Sequence, residues 1–478
     1  MHRIIKQQNK SNEILSATFI IAFSSLFVLF NYFGGFSLAV YVIAMGVAAL
    51  ISVTAPRAGL YAIIFLTFVF ERFFTLIPIA MGRNEYKLYP IDVLLLAVIA
   101  GLVIAYLKGK LEIKLRKLDW ALILFAILSI AYFFISVLLL GGDAALAGSS
   151  AKNYGFYSLL YFVTYILINS KEKLKELAMV IFAGGVAIIW FIVYGILTKH
   201  GLWSDYTPLS TEGIRTLAFT HGYYVSMVLI CALVYMAHKS DQFSKWLMFL
   251  VPIWVIGIIG SMMRHLWISI FVAIGFLIVM FARTQRTRLK KYALTYAAFA
   301  ILVMSFTVYL ITLFPRSTFY DSLIGTVGMV SNRVTSIANT EGDESIVWRS
   351  AVWQSAGKQY FQTPVTGIGF GKKVSVEIGK YKDFVEVRNM HNSFLVLLVQ
   401  MGFAGIILVG ILVFVLGKSA LLGKFNDSFL QMSAYASLGI LLMQLVAFMF
   451  QPYLEANLLG IFFWINLGVL RRLHEEKQ

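Results

Sequence analysis

The residues best suited to chemistry lie in Arg388-Asn389-Met390-His391-Asn392-Ser393-Phe394-Leu395, where a hydrophilic stretch, residues 315–391, runs into an apolar helix. A histidine titrates near neutral pH and can take a proton from an attacking hydroxyl. Asn392 or Ser393 is placed to cap the helix that follows, whose positive end favours an anionic group nearby. Three arginines occupy comparable positions. Arg215 comes just before an apolar span, Arg264 closes the stretch Ser261-Met262-Met263-Arg264, and Arg349 lies on an amphipathic segment, Ile346 to Phe361. Arginine is always charged, and its fork of donors matches phosphate oxygens. Together these types describe a base acting on a hydroxyl beside a bound lipid pyrophosphate. Each residue also has a plainer reading. Arg215 and Arg264 can snorkel to headgroups, Arg349 can be a solvated loop charge, and His391 an interfacial polar residue. Their conjunction on one face is what favours function.

The elements that must position these residues are membrane spans. Hydrophobic residues make up 60% of the chain and charged ones 13%, with a mean hydropathy of +0.81. A soluble globule cannot hide that much apolar surface, so the fold class is all-α, a polytopic helical membrane protein. The single cysteine, Cys231, excludes a disulfide framework and a thiolate metal cluster. A net charge of +17 would suit nucleic acid, but most basic residues fall in short loops between spans, where they set orientation.

Hydropathy places about fourteen spans, near 14–34, 36–55, 58–78, 89–107, 118–140, 154–169, 174–198, 214–237, 243–261, 265–283, 292–314, 393–416, 428–449 and 454–471. The basic start (Arg3, Lys6, Lys10) lacks a small-residue cleavage site and reads as a retained helix. Lys108 to Lys117, Lys171 to Lys175, Lys239 and Lys245, Arg283 to Lys291, Lys418 and Lys424, and Arg471-Arg472 all fall on one side. That side is the cytoplasm, with both termini, and the large loop 315–391 is extracytoplasmic. Residues 243–283 would form a helix of roughly 60 Å if continuous, twice the bilayer core, so the chain must turn back near Ser261 to Arg264. The domain reading is 1–210 for N-terminal spans, 211–416 for a core that includes the large loop, and 417–478 for C-terminal spans and a short tail. Glu71-Arg72, inside an apolar run, reads first as an internal ion pair and second as a substrate contact. Asp92 and Glu455, near span ends, fit either kind of role.

Arg215 with Thr220-His221-Gly222, then Ser261-Met262-Met263-Arg264-His265-Leu266-Trp267, Trp348-Arg349, Pro364, Gly367-Ile368-Gly369 and Met390-His391-Asn392-Ser393 follow one another in order. This series resembles the O-antigen ligase and O-antigen polymerase superfamily of bacterial surface-polysaccharide enzymes, over roughly residues 210–415. Here Met262-Met263 separates a serine and arginine that are more often adjacent in the family. The resemblance implies a membrane-embedded, inverting glycosyltransferase with no cofactor and no metal. Its donor would be an undecaprenyl-diphosphate-linked glycan at the outer face of the cytoplasmic membrane, and its acceptor a saccharide. By the same resemblance Arg215 and Arg264 hold the pyrophosphate, with Arg349 beside them, and His391 orients or deprotonates the acceptor hydroxyl. Pro364 to Gly369 would shape the loop over the cavity, and Asn392, Arg388 and Arg72 are secondary candidates.

The loop carries acids but no Asp-x-Asp, in keeping with arginine rather than a cation facing the leaving group. A polymerase joining repeat units is favoured over a ligase using another acceptor, by the number of spans and the long loop. Membrane lipids and other polysaccharide assembly proteins are the remaining partners, and nucleic acid is not one. A lipid-oligosaccharide flippase or other transporter is the competing class, but it would gather ionisable residues near the midplane of paired halves. A scaffold of an envelope complex has no evident need for outer-face arginines. The orientation is testable by single cysteines in a Cys231-free background. One at Ser375 should react with an impermeant thiol reagent in intact cells and one at Ser240 should not; the reverse pattern would overturn the whole site argument.

Overall fold

A computed structural model describes residues 2–70, 79–81, 84–86, 89–198, 217–313, 344–378 and 381–476, with single positions at 325, 328, 331 and 335. Sixteen helices run along the described chain. They are α1 (His2–Gly34), α2 (Leu38–Thr54), α3 (Pro56–Phe70), α4 (Pro90–Leu107), α5 (Asp119–Leu138), α6 (Ala144–Ala151), α7 (Leu160–Leu167) and α8 (Lys171–Thr198). Then come α9 (Phe219–His238), α10 (Gln242–Gly260), α11 (Arg264–Met280), α12 (Arg283–Leu313), α13 (Glu344–Tyr360), α14 (Ser393–Leu422), α15 (Ser428–Phe448) and α16 (Asn457–Glu475). The protein is thus a helical, multi-pass membrane protein. Among the described residues nine helices are long and apolar enough to cross a membrane, and α2, α3 and α11 are shorter apolar helices. The expected spans 154–169 and 454–471 fall on helices in neither group, so fourteen stays an expectation.

Among the described residues two antiparallel hairpins interrupt the helices, β1 (Ile79–Met81) with β2 (Asn84–Tyr86) and β3 (Lys373–Ile378) with β4 (Tyr381–Glu386). In the second, Val374, Val376 and Val385 are buried while Lys373, Glu377 and Lys382 are exposed, an alternation that sequence reasoning passed over. Residues 144–167, expected as a helix only from 154, are helical throughout. A π-helical turn, Lys152–Phe156, and a 3₁₀ turn, Tyr157–Leu159, join α6 to α7. Such wide turns turn successive side chains to new directions and recur at functional sites.

The chain divides into two compact units. The first comprises residues 1–187, 352–437 and 448–478; the second comprises 188–351 and 438–447. In the first, α1, α2, α3 and α4 pack on one another, α16 packs on α7 and α14, and α14 packs on α5. Buried Arg471 of α16 forms a two-pronged ion pair with buried Asp119 of α5, Nε to Oδ1 at 2.8 Å and Nη2 to Oδ2 at 2.9 Å, and Tyr161 donates to the same carboxylate. In the second unit α9 packs on α10, α11 and α12. Gly222 of α9 lies under the turn between α10 and α11, where any Cβ would come within 2.9 Å of the Ser261 Cβ.

The element that carries the site is α14, and it is broken. Gly402 has φ 63° and ψ −158°, a region open essentially to glycine alone. The segment Pro364–Gly369 fills the break. Ile368 N–H donates to the Val399 carbonyl at 2.8 Å, Gly369 N–H to Gln400 at 3.2 Å, and Phe403 N–H to Pro364 at 3.3 Å. A Cβ on Gly402 would meet the Val365 carbonyl oxygen at 2.1 Å. Gly402→Ala should therefore cost about 1–3 kcal/mol, read as a lower midpoint of thermal unfolding in detergent; an unchanged midpoint would mean the break is not needed.

Candidate functional site

The hairpin hands the chain to a 3₁₀ turn, Val387–Asn389, and then to His391. Met390 is fully buried, and its carbonyl accepts the indole N–H of Trp353 on α13 at 2.7 Å. His391 itself has φ 55°, a left-handed backbone that side-chain-bearing residues seldom adopt. Asn392 is the N-cap of α14, its side chain accepting the Leu395 N–H at 3.1 Å, which resolves the choice between Asn392 and Ser393. The His391 ring is held by Gln451, with Nδ1 2.8 Å from Oε1. An amide oxygen only accepts, so Nδ1 donates to it and Nε2 is the nitrogen positioned to act as the base.

Gln451 belongs to the loop between α15 and α16, and that loop is bound to the start of α14 through Ser393. The Ser393 hydroxyl accepts the Leu454 N–H at 3.0 Å and lies 3.2 Å from the Gln451 carbonyl and 2.7 Å from Oε2 of Glu455. Glu455 is buried. Tyr154 of the π-helical turn donates its hydroxyl to Oε1 at 2.5 Å, and the Asn153 amide donates to the Glu455 backbone carbonyl. Tyr154 is fully buried, its ring 5.9 Å from that of Phe125 and 5.8 Å from that of Phe370. Burial pushes the Glu455 carboxyl up to about 7, against the lowering effect of the Tyr154 and Ser393 hydroxyls.

The same π-helical turn holds a second carboxylate. Lys152 Nζ lies 2.9 Å from Oδ2 of buried Asp92, Tyr157 donates to Oδ1 at 2.6 Å, and the ammonium stands 3.9 Å from the Tyr89 ring centre. Arg388 bonds Glu386 through Nε at 2.7 Å and reaches Ser149 of α6 at 3.2 Å, so it ties the end of the hairpin to the helices.

His391, Asn392 and Arg388 are therefore together in the first unit. Arg264 and Arg349 belong to the second. Arg264 is the first residue of α11 and half-buried, directly after a turn in which Met262 has φ 55°. That turn sits where the spacing required it, pinned by Ser261 Oγ donating to the Ile258 carbonyl at 2.7 Å and by the Trp267 indole donating to the same carbonyl at 3.1 Å. Arg349 is half-buried on α13, inside the helix expected over 346–361. Arg215 and Arg72 lie outside the described residues.

Sequence reasoning left Glu455 undecided and passed over Gln451, Asn153 and Tyr154. Only one signal was available, an acid in a short loop between two apolar helices beside a proline and an amide, Gln451-Pro452-Tyr453-Leu454-Glu455.

Residues 247–410, about a third of the chain, match the O-antigen ligase family. The resemblance to the O-antigen ligase and polymerase superfamily holds over that segment, which carries Arg264, Arg349, Arg388, His391, Asn392 and the Gly402 break. Glu455, Gln451 and Tyr154 fall outside it. No curated protein matches the chain.

The Glu455 carboxyl gives a signed pH dependence. Its folded value, about 7, lies above its ordinary 4.5, so the folded state holds the proton more tightly than the unfolded one. This contribution to stability is fully present below about pH 4.5 and is lost as pH rises through about 7. Thermal unfolding midpoints of the wild-type protein should fall across that window relative to Glu455→Gln, and parallel curves for the two proteins would contradict the assignment.

Proposed function

We propose that this protein is a membrane-embedded, inverting glycosyltransferase that polymerises undecaprenyl-diphosphate-linked oligosaccharide at the outer face of the bacterial cytoplasmic membrane. The observation that carries the reading is the presentation of His391. Its ring is oriented by Gln451 at the start of α14, and the histidine lies inside the stretch that matches the O-antigen ligase family. In the reaction the acceptor hydroxyl oxygen attacks the anomeric carbon of the donor. The bond from that carbon to the pyrophosphate oxygen breaks, undecaprenyl diphosphate leaves with the electron pair, and His391 Nε2 takes the hydroxyl proton. Arg215, Arg264 and Arg349 face the pyrophosphate in this reading, supplying fixed positive charge where negative charge develops. Nothing in the step requires a metal.

The description of the matching family supports a second form of the same chemistry, a ligase that delivers the glycan to a different acceptor. The two forms part on one substrate. Given only lipid-linked repeat units, a polymerase builds a ladder of products and a ligase builds none.

The test is purified protein with its lipid-linked oligosaccharide, reading turnover and donor binding separately. His391→Ala should lower turnover on the order of 10²–10⁴-fold, the usual contribution of a general base, with donor still bound. His391→Gln keeps a hydrogen-bonding group but takes no proton, so it should be nearly as poor. Arg264→Lys keeps charge but loses the fork and should weaken donor binding. Near-wild-type turnover by His391→Ala would remove the histidine from the mechanism.

A further inference from the structure

We infer that Glu455 is a positioning residue that works as a neutral carboxylic acid, its proton bridging to Ser393 and thereby locking the loop that aims His391. This inference rests on the reading of His391 as the base.

Counting protons around Ser393 leads to it. The hydroxyl has a single proton and three neighbours: the Leu454 N–H, which donates to it, the Gln451 carbonyl at 3.2 Å, and Glu455 Oε2 at 2.7 Å. If Glu455 were ionised, both of the latter would be acceptors competing for one proton. With the proton on Oε2, the carboxyl donates to Ser393, Ser393 donates to the Gln451 carbonyl, and Leu454 completes the hydroxyl. Oε1 is then a carbonyl oxygen that accepts from Tyr154. Every group is satisfied in that arrangement; in the ionised one the Gln451 carbonyl loses its side-chain partner and keeps the Tyr453 N–H at 2.9 Å.

The surroundings agree. Among the described residues Glu455 makes no ion pair; the nearest lysine on the π-helical turn, Lys152, is spent on Asp92. Among the described residues, the titratable side chains bonded into the network are Tyr154 from that turn and His391, reached through Gln451. A buried ionised carboxylate bonded to Tyr154, whose ring packs against Phe125 and Phe370, is costly without a cation, whereas the neutral acid is not. The consequence for function runs through geometry. Gln451 bonds His391 with its side chain and Ser393 with its backbone, so a loosened loop misaims the ring.

The experiment compares wild type, Glu455→Gln and Glu455→Ala as purified full-length proteins, by turnover on lipid-linked oligosaccharide and by infrared spectroscopy. Glutamine imitates the neutral acid: its amide N–H can donate to Ser393 and its oxygen can accept from Tyr154. Glu455→Gln should keep turnover close to wild type, while Glu455→Ala loses kcat on the order of 10²-fold, the cost of about 1 Å of misplacement, with KM little changed. A protonated-carboxyl stretch present in wild type below pH 7 should be missing from Glu455→Gln. If Glu455→Gln is as inactive as Glu455→Ala, the negative charge is needed and the inference is overturned; so too if the carboxyl band is absent from wild type. Activity in His391→Ala would defeat the reading of the base instead, and the infrared band would still decide whether Glu455 holds its proton.

Discussion

A helix crossing a membrane must satisfy its backbone groups internally, and α14 does not do so alone. At Gly402 its ladder breaks, and the loop segment Pro364–Gly369 supplies the missing partners to Val399, Gln400 and Phe403. Much of the site follows from this one repair. The segment that fills the break is continuous with Phe370, whose N–H binds Ser136 of α5 at 2.7 Å, and with Gly371, whose carbonyl accepts from Asp143 at the start of α6. The hairpin that follows is therefore tethered at its root. Its far end returns the chain to Arg388 and His391 beside the same helix. The break in α14 and the placement of His391 are two ends of one loop.

The polar groups of the first unit then sort by how their charge is settled. Asp119 has Arg471, and Asp92 has Lys152; both are buried carboxylates with a cation in direct contact. Among the described residues the Glu455 carboxyl has only hydroxyls. An ionised acid in that setting would carry an uncompensated desolvation cost, and its upward displacement to about 7 is the expected response. The π-helical turn Lys152–Phe156 serves both settings. Consecutive residues of one turn face different acids, Lys152 towards Asp92, Asn153 and Tyr154 towards Glu455.

What the sequence disclosed was local. The cap at Asn392, the turn before Arg264 and the helix of the large loop all depend on residues within a few positions of one another, and each is found where spacing put it. The hairpin after Gly371 has only six residues per strand, too short a signal to stand out inside a long hydrophilic loop. Glu455 was beyond reach for another reason. Its partners are Ser393 and Tyr154, 62 and 301 positions away, and a lone acid at a span end carries no pattern that names them. Polar networks of this kind are written in tertiary contacts, so hydropathy reveals the helices but not which side chains they bring together.

Two departures from ordinary backbone geometry connect the motifs to the chemistry proposed for them. Among the described residues, Met262 and His391 are the non-glycine positions with positive φ, both at 55°. One lies in the turn that leads into Arg264, the other is the histidine itself. Such conformations persist where the surroundings over-determine them. At Met262 the restraint comes from Ser261 and Trp267, both bonded to Ile258. At His391 it comes from Trp353 on the preceding carbonyl, the Asn392 cap on the following turn and Gln451 on the ring. A helical or extended residue at 391 would carry its ring in another direction, away from Gln451. The left-handed turn is thus what allows one residue to end the large loop, precede the cap of α14 and keep its imidazole bonded to the loop that Glu455 and Ser393 secure.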